Sequence, residues 1–167
     1  MARISEKAAG GRNVLAFLDM LAVSEGTADQ GDDGYNVLVG SSKAHPNLFQ
    51  DYNQHPHKLI GLTDKDGKIK LHSTAAGRYQ ILWFIWDTLR RRYDFKDFLP
   101  VTQDAACIWL IRDAQAFPDI IAGDFASAVS KCRKIWASLP GAGYGQHENQ
   151  LVTLEAAYKS AGGTVAV

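Results

Sequence analysis

Glu25 closes an apolar stripe, and that position gives it a chemistry. Val14, Phe17, Leu18, Leu21 and Ala22 follow the i, i+3, i+4, i+7, i+8 spacing of one helical face, and Glu25 continues the row toward a core. Gly26 follows at once; a glycine tolerates positive φ, so Glu25 is expected in the last helical turn. There the negative end of the helix dipole and partial burial both disfavour ionisation. A carboxyl that keeps its proton near neutral pH is suited to general-acid catalysis. The same pattern also describes a solvated helix-end residue, and the helix alone leaves both readings open.

Other chemistry-bearing residues are weaker. Asp29, Asp32 and Asp33 follow Glu25 in a polar loop and could supply a second carboxylate, although such residues are equally at home in a turn. His55 and His57 share a spacing found on some zinc-binding strands, with His45 and His72 elsewhere. Pro56 separates them and no third ligand stands at a recognisable distance. Asp64, Asp66 and Gly67 resemble a fragment of a calcium loop without its later ligands, and a hairpin turn explains them better. The run Gly141-Ala142-Gly143-Tyr144-Gly145 lacks the preceding strand and the Lys-Ser/Thr ending of a phosphate loop. No metal and no cofactor is expected.

Three clusters carry a family resemblance: Phe17-Leu18-Asp19-Met20-Leu21-Ala22-Val23-Ser24-Glu25-Gly26-Thr27, then Thr74-Ala75-Ala76-Gly77-Arg78-Tyr79-Gln80, then Ile135-Trp136-Ala137-Ser138-Leu139-Pro140-Gly141-Ala142-Gly143-Tyr144-Gly145-Gln146. Gly34-Tyr35 and the closing Ala161-Gly162-Gly163-Thr164-Val165 agree as well. From about Asn13 to Val165 the chain resembles the lambda-type phage endolysins, which cleave bacterial peptidoglycan. The resemblance implies an α+β, lysozyme-like fold, and Glu25 as the single acid of a lytic transglycosylase that leaves 1,6-anhydro-muramic acid ends. Hydrolytic phage lysozymes pair their glutamate with an aspartate and a threonine downstream; no convincing threonine follows Asp33 before Thr63. The alternatives are a hydrolytic muramidase using Asp32 or Asp33 with water, and a non-catalytic glycan-binding module.

Substrate contacts are expected from Tyr35, Arg78, Tyr79, Gln80, Tyr144 and Gln146. Gly77 lets backbone approach a ligand, while the phenol of Tyr79 and the carboxamide of Gln80 offer directional hydrogen bonds to sugar hydroxyl and acetamido groups. Arg78 also fits as a fold-stabilising partner for an acid, and Ser73 and Thr74 as caps of the next helix. Tyr35, between Gly34 and Asn36, has little core to join; Tyr144 and Gln146 are put beside the glycan by family similarity, or Tyr144 anchors its loop. Trp83, Trp86, Trp109 and Trp136 fall within helical apolar patterns, so core packing is expected for all four.

The elements that must position these residues are mostly helical. Apolar residues recur at helical spacing over Tyr79–Tyr93, Thr102–Ala116, Asp124–Trp136 and about His147–Ala161, with Thr102 and Asp124 as N-caps and Gly162 as terminator. Short strands are expected at Tyr35–Val39, Leu59–Thr63 and Lys68–His72, the last two joined through Asp64-Lys65-Asp66-Gly67. The expectation is one lysozyme-like catalytic domain over 1–167, with a small antiparallel sheet inserted after the first helix.

At 167 residues, 46% of them hydrophobic, the chain can fill one core. Eighteen basic and eighteen acidic side chains cancel, which argues against nucleic acid as a partner captured by charge. Arg90, Arg91 and Arg92 form the one charge run and are expected to complement a helix end, as are Lys131, Arg133 and Lys134. Cys107 and Cys132 sit in helix-like runs and read as free buried thiols. No apolar run approaches the roughly 20 residues of a membrane span, and the N-terminus lacks a charged start, apolar middle and small-residue cleavage site. A monomer made in the host cytoplasm is therefore expected, acting on peptidoglycan glycan strands in the periplasm once a holin, implied by the family, has permeabilised the membrane.

Overall fold

The computed structural model describes residues 1–63, 66–145 and 147–166. Its elements are α1 (Glu6–Ala9), α2 (Arg12–Ser24), β1 (Ile60–Thr63), β2 (Ile69–Ser73), α3 (Trp83–Tyr93), α4 (Pro100–Asp113), α5 (Phe117–Ala122), α6 (Phe125–Cys132) and α7 (Leu151–Ser160). The chain divides into two compact units, Met1–Gly26 with Asp104–Val167, and Thr27–Gln103. Helices with a small antiparallel sheet make this an α+β fold, as expected.

In the first unit, α2 is buried on most of its circumference: Val14, Ala16, Phe17, Leu18, Met20, Leu21 and Ala22 are all at 0% exposure. Phe17 meets Phe125 edge-on at 6.2 Å and Tyr158 at 6.4 Å, and the latter two rings stack at 4.9 Å. These rings tie α2 to α6 and α7 by dispersion and burial. Asn13, near the start of α2, donates to Ile120 O and accepts from the Thr164 backbone N–H at 3.0 Å, which fastens the segment after α7. Asp104 is fully buried and accepts from the backbone N–H groups of Arg3 and Ile4. Cys107 and Cys132 are buried thiols outside any disulfide, as expected, and burial pushes the Cys132 thiol up to about 12.

In the second unit, β1 and β2 pair antiparallel from Ile60↔Ser73 to Thr63↔Ile69, with an irregularity between Leu62 and Thr63. Both sit within one residue of the expected Leu59–Thr63 and Lys68–His72. Of the turn between them, Asp64 and Lys65 lie outside the described residues, and Gly67 has φ +77°. Tyr35–Val39 is not a strand: Gly34 and Gly40 take positive φ, and only isolated bridges join Val37 to Leu48 and Leu38 to Ala76. Helix α3 starts at Trp83, later than the periodicity suggests. Ile81 bridges back to Ala76, so Tyr79 and Gln80 form the intervening turn, and Thr74 Oγ1 caps the helix by accepting from the Trp83 N–H.

Helix α4, in contrast, begins at Pro100, earlier than the expected Thr102; the fixed φ of proline suits a first turn, and the Thr102 hydroxyl donates to Asp97 instead of capping. Asp124 does cap α6, accepting from the Ser127 N–H at 3.1 Å. Arg90 and Arg91 pair with Asp87 along the last turn of α3, and Lys131 pairs with Asp119. The short helices α1 and α5 leave too few periodic positions to register as sequence patterns. Trp86 and Trp136 are core residues, but Trp109 is 36% exposed and Trp83 half-buried.

Gly77 leaves no room for a side chain. It has φ +78°, and a Cβ there would stand 2.2 Å from Gln103 Oε1 and 3.0 Å from the Phe98 ring. Gly77→Ala is expected to cost about 2 kcal/mol or more in chemical denaturation, from backbone strain and displacement of Gln103. An unchanged midpoint would remove this account of the glycine.

Candidate active site

Glu25 is the C-cap of α2, one residue past the last helical residue, and Gly26 follows with φ +69°. The side chain is half-buried. Burial pushes its carboxyl up to about 7, and a hydrogen bond from Ser138 opposes that rise. The Ser138 hydroxyl donates to Glu25 Oε1 at 2.5 Å, and Ser24 Oγ lies 2.7 Å from Ser138 Oγ. Asn149 completes the cluster: its Nδ2 lies 3.1 Å from Ser24 O and 3.2 Å from both Ser24 Oγ and Ser138 O. A carboxyl titrating near neutrality, backed by fixed dipoles, is equipped to give and to recover a proton.

The sequence pointed to Glu25 but not to Ser138, Ser24 or Asn149. Ser138 stands inside the third motif cluster, between buried Trp136 and Leu139. A hydroxyl in an otherwise apolar stretch was the available signal.

The second unit holds the other motif cluster. Thr27 Oγ1 donates to Arg78 O at 2.6 Å, the Arg78 N–H donates to Gln103 Oε1, and Gln103 Nε2 donates to Tyr35 O and Phe98 O. The Arg78 guanidinium is buried, 2.8 Å from Asp33 Oδ1 and 5.2 Å from the centre of the Tyr35 ring. Burial alone would raise the Asp33 carboxyl, but hydrogen bonding and charge, Arg78's among them, outweigh it and hold the carboxyl below its ordinary value. Gln80 has φ +47°, and its amide donates to Gly77 O at 2.9 Å.

Several residues expected at the sugar are engaged within the protein. Tyr35 and Tyr79 are both 0% exposed, so the expectation that Tyr35 has little core to join is corrected. Neither phenol presents surface to a ligand in this conformation. Arg78 takes the role of partner to an acid, and the Gln80 carboxamide is engaged by backbone. Tyr144 is 57% exposed, with its hydroxyl donating to Lys134 O at 3.0 Å, which anchors the loop while leaving the ring at the surface. Gln146 lies outside the described residues. The N–H groups of Gly141 and Gly143 both donate to Glu148, at 2.8 Å each, so the chain's own carboxylate occupies this glycine turn.

His55 is buried, and both ring nitrogens are engaged: Nε2 donates to Ile81 O and Nδ1 accepts from the His57 N–H. Burial holds its pKa down at about 4. Its ring sits 4.8 Å from Phe98 and 5.6 Å from Trp83, and His57 stacks on Trp83 at 4.1 Å. Aromatic packing accounts for the His55-Pro56-His57 spacing. Among the described residues, no group of three or more His, Cys, Asp or Glu side chains could hold a metal ion.

Comparison with solved structures puts the architecture in the lysozyme-like class. A lysozyme of bacteriophage lambda complexed with a chitohexasaccharide superposes with a TM-score of 0.84 at 45% identity, over 99% of this chain and all of that one. A second structure of lysozyme from bacteriophage lambda gives 0.80 at 44% identity. The endolysin of Escherichia phage lambda is 49% identical over 155 residues, 90% of this chain and 91% of that protein. The endolysin of Escherichia phage P2 is 45% identical over 161 residues, 93% and 96% of the two chains. The Endolysin family model matches residues 15–165, and the chain belongs to that family.

The raised Glu25 pKa carries a stability consequence with a definite sign. Below the ordinary value of 4.5 the group is protonated folded or unfolded and contributes nothing. As pH rises from there to about 7 the unfolded chain releases the proton first, so the folded state is progressively disfavoured, by at most about 3 kcal/mol. Glu25→Gln keeps the acceptor for Ser138 and abolishes the ionisation. It is expected to raise thermal stability at pH 8 and leave it unchanged at pH 4. Equal stabilities of the two proteins at both pH values would mean that Glu25 is not desolvated.

Proposed function

We propose that this chain cleaves the MurNAc–GlcNAc β-1,4 bond of peptidoglycan as a lytic transglycosylase, with Glu25 as acid and then base. The observation that carries the proposal is Glu25 itself, one half-buried carboxyl titrating near 7 at the end of α2. Glu25 gives its proton to the glycosidic oxygen as the bond to C1 breaks. The resulting carboxylate then takes the proton of the C6 hydroxyl as O6 bonds to C1. Glu25 ends protonated, the leaving sugar carries the first proton, and the other product is a 1,6-anhydro-muramic acid end. Neither a metal nor a water molecule enters as a reactant.

One further observation supports this choice over hydrolysis. Hydrolysis usually recruits a second carboxylate, as nucleophile or as base for water. Each acid of the loop after Glu25 is already engaged: Asp29 with Lys43, Asp32 by the Tyr52 hydroxyl at 2.9 Å, and Asp33 by Arg78. Hydrogen bonding and charge hold the Asp33 carboxyl below its ordinary value, which makes that group a weaker base. The similar lambda lysozyme was solved with a chitohexasaccharide, which supports a β-1,4 glycan as ligand here. A non-catalytic glycan-binding module would gain nothing from a desolvated acid.

We assign a glycan contact to the exposed Tyr144 ring, and assign Arg78, Tyr79 and Gln80 to holding the Gly77 turn in shape. The family match includes residues of both units, so the activity is assigned to the chain as one catalytic domain. The proposal extends to its setting: a monomer made in the host cytoplasm, reaching the wall after a holin has opened the membrane. Among the described residues no helix is long and apolar enough to cross a membrane.

Digestion of purified peptidoglycan followed by mass spectrometry is expected to yield anhydro ends. Glu25→Gln is expected to lower the initial rate by about 10²-fold or more with folding intact. Asp32→Asn is expected to change it by less than about tenfold. Asp33→Asn strips a buried guanidinium of its partner, so its effect belongs to stability. Reducing muramic acid ends, with a large rate loss in folded Asp32→Asn, would transfer the assignment to a hydrolytic muramidase.

A further inference from the structure

The cluster behind Glu25 has a direction. Asn149 Nδ2 faces two backbone carbonyl oxygens, Ser24 O and Ser138 O, which accept only. The amide orientation is fixed by that pair, and the group facing Ser24 Oγ at 3.2 Å is therefore the donor end. Ser24 is nearly buried, at 7% exposure. With the Asn149 N–H filling one lone pair of Ser24 Oγ, and with the single Ser138 proton spent on Glu25, the 2.7 Å contact between the hydroxyls is filled by the Ser24 proton. The donors run one way: Asn149 to Ser24, Ser24 to Ser138, Ser138 to Glu25 Oε1.

We propose that Ser138, backed by Ser24 and Asn149, is a positioning residue that holds Glu25 Oε1 as a standing acceptor and so confines the transferable proton to Oε2. This rests on Glu25 being the catalytic acid. Protonation of Oε1 would force the Ser138 proton back toward Ser24, whose oxygen already accepts from Asn149. The Ser24 hydroxyl would accept twice and would have to turn its own proton away from Ser138 to an acceptor outside the row. With Oε2 as the only oxygen that carries the proton, the carboxyl presents the same atom when it gives a proton and when it takes one. The carboxyl rotamer is fixed by the same 2.5 Å contact, so the acid does not have to be reoriented between the two transfers. The opposing effect of Ser138 on the Glu25 pKa agrees with donation to the ionised form.

The test combines steady-state kinetics on purified peptidoglycan with a ¹³C-carboxyl NMR titration of Glu25, using Ser138→Ala, Ser138→Thr and Ser24→Ala. Ser138→Ala is expected to lower kcat about tenfold with KM changed less than twofold, and to move the Glu25 midpoint upward. Ser138→Thr keeps the hydroxyl and is expected to stay within about threefold of the parent. Ser24→Ala breaks the chain one link back and is expected to move kcat and midpoint in the same direction by a smaller amount. An unchanged kcat and midpoint in Ser138→Ala overturns the proposal, as does Ser138→Thr falling as far as Ser138→Ala. Should Ser138→Ala fail to fold, Ser24→Ala decides: an upward midpoint supports the chain and an unmoved one overturns it. Glu25→Gln run in parallel separates the two levels. Near-normal turnover there removes the acid assignment itself, whereas an inactive Glu25→Gln beside a normal Ser138→Ala removes only the positioning role.

Discussion

Holding one carboxyl part-way out of water is the constraint on which the first unit is organised. An ionised carboxylate loses solvation at such a place, and the loss has to be offset elsewhere in the fold. Helix α2 supplies that offset through burial, since seven of its apolar residues have no exposed surface and the Phe17, Phe125 and Tyr158 rings pack around it. Its start is fixed as well, by Asn13 bonding to Ile120 and Thr164. A helix held at its start and along its sides delivers its last residue to a defined place. That is the physical content of an apolar stripe that ends in an acid.

The second unit solves a similar problem with the opposite charge. A buried guanidinium is tolerated only when a partner and hydrogen bonds compensate its desolvation. Asp33 is that partner for Arg78, while Gln103 and Thr27 bind the Arg78 main chain on either side. Gly77 leaves the room that Gln103 needs, and Gln80 closes the turn on Gly77 O. The segment Gly77-Arg78-Tyr79-Gln80 is therefore bound up by internal demands. Residue types that suit sugar recognition, a phenol, a carboxamide and a cation, are the same types that satisfy a buried polar node. Their spacing in a sequence does not distinguish the two uses.

What was legible in the sequence follows the range of the interactions involved. Glu25 was legible because an apolar stripe and a following glycine are local patterns, and the two strands were found because a turn signal lies between them. Tyr35–Val39 misled because its alternation is local while its burial is not: Val37, Leu38 and Tyr35 are covered by residues far along the chain, and glycines at either end bend it out of a ladder. Helix α3 was placed too early because Ile81 bridges to Ala76, a pairing with no periodic trace. Ser138 left only the trace of a hydroxyl in an apolar stretch, and Asn149 left none, for the same reason. They lie 113 and 124 residues from Glu25 along the chain, and only the tertiary fold brings the one to its carboxyl and the other to the hydroxyl behind it.

The balance at Glu25 suits a residue that serves twice in one turnover. A carboxyl held far above neutrality would be a poor acid, slow to release its proton to a glycosidic oxygen; one left at its ordinary value would seldom be protonated at all and would be a weak base. Burial alone pushes toward the first failure, and a strong donor set would push toward the second. Here a single hydroxyl opposes burial, and the outcome lies at about 7. Either state is then populated in a neutral medium, so neither the donation nor the return of the proton has to climb far. The requirement is stricter than for an enzyme with two carboxylates, where environment can set one group high and the other low. On the proposed single-acid mechanism one midpoint has to serve both transfers, and desolvation and the Ser138 hydrogen bond push it in opposite directions.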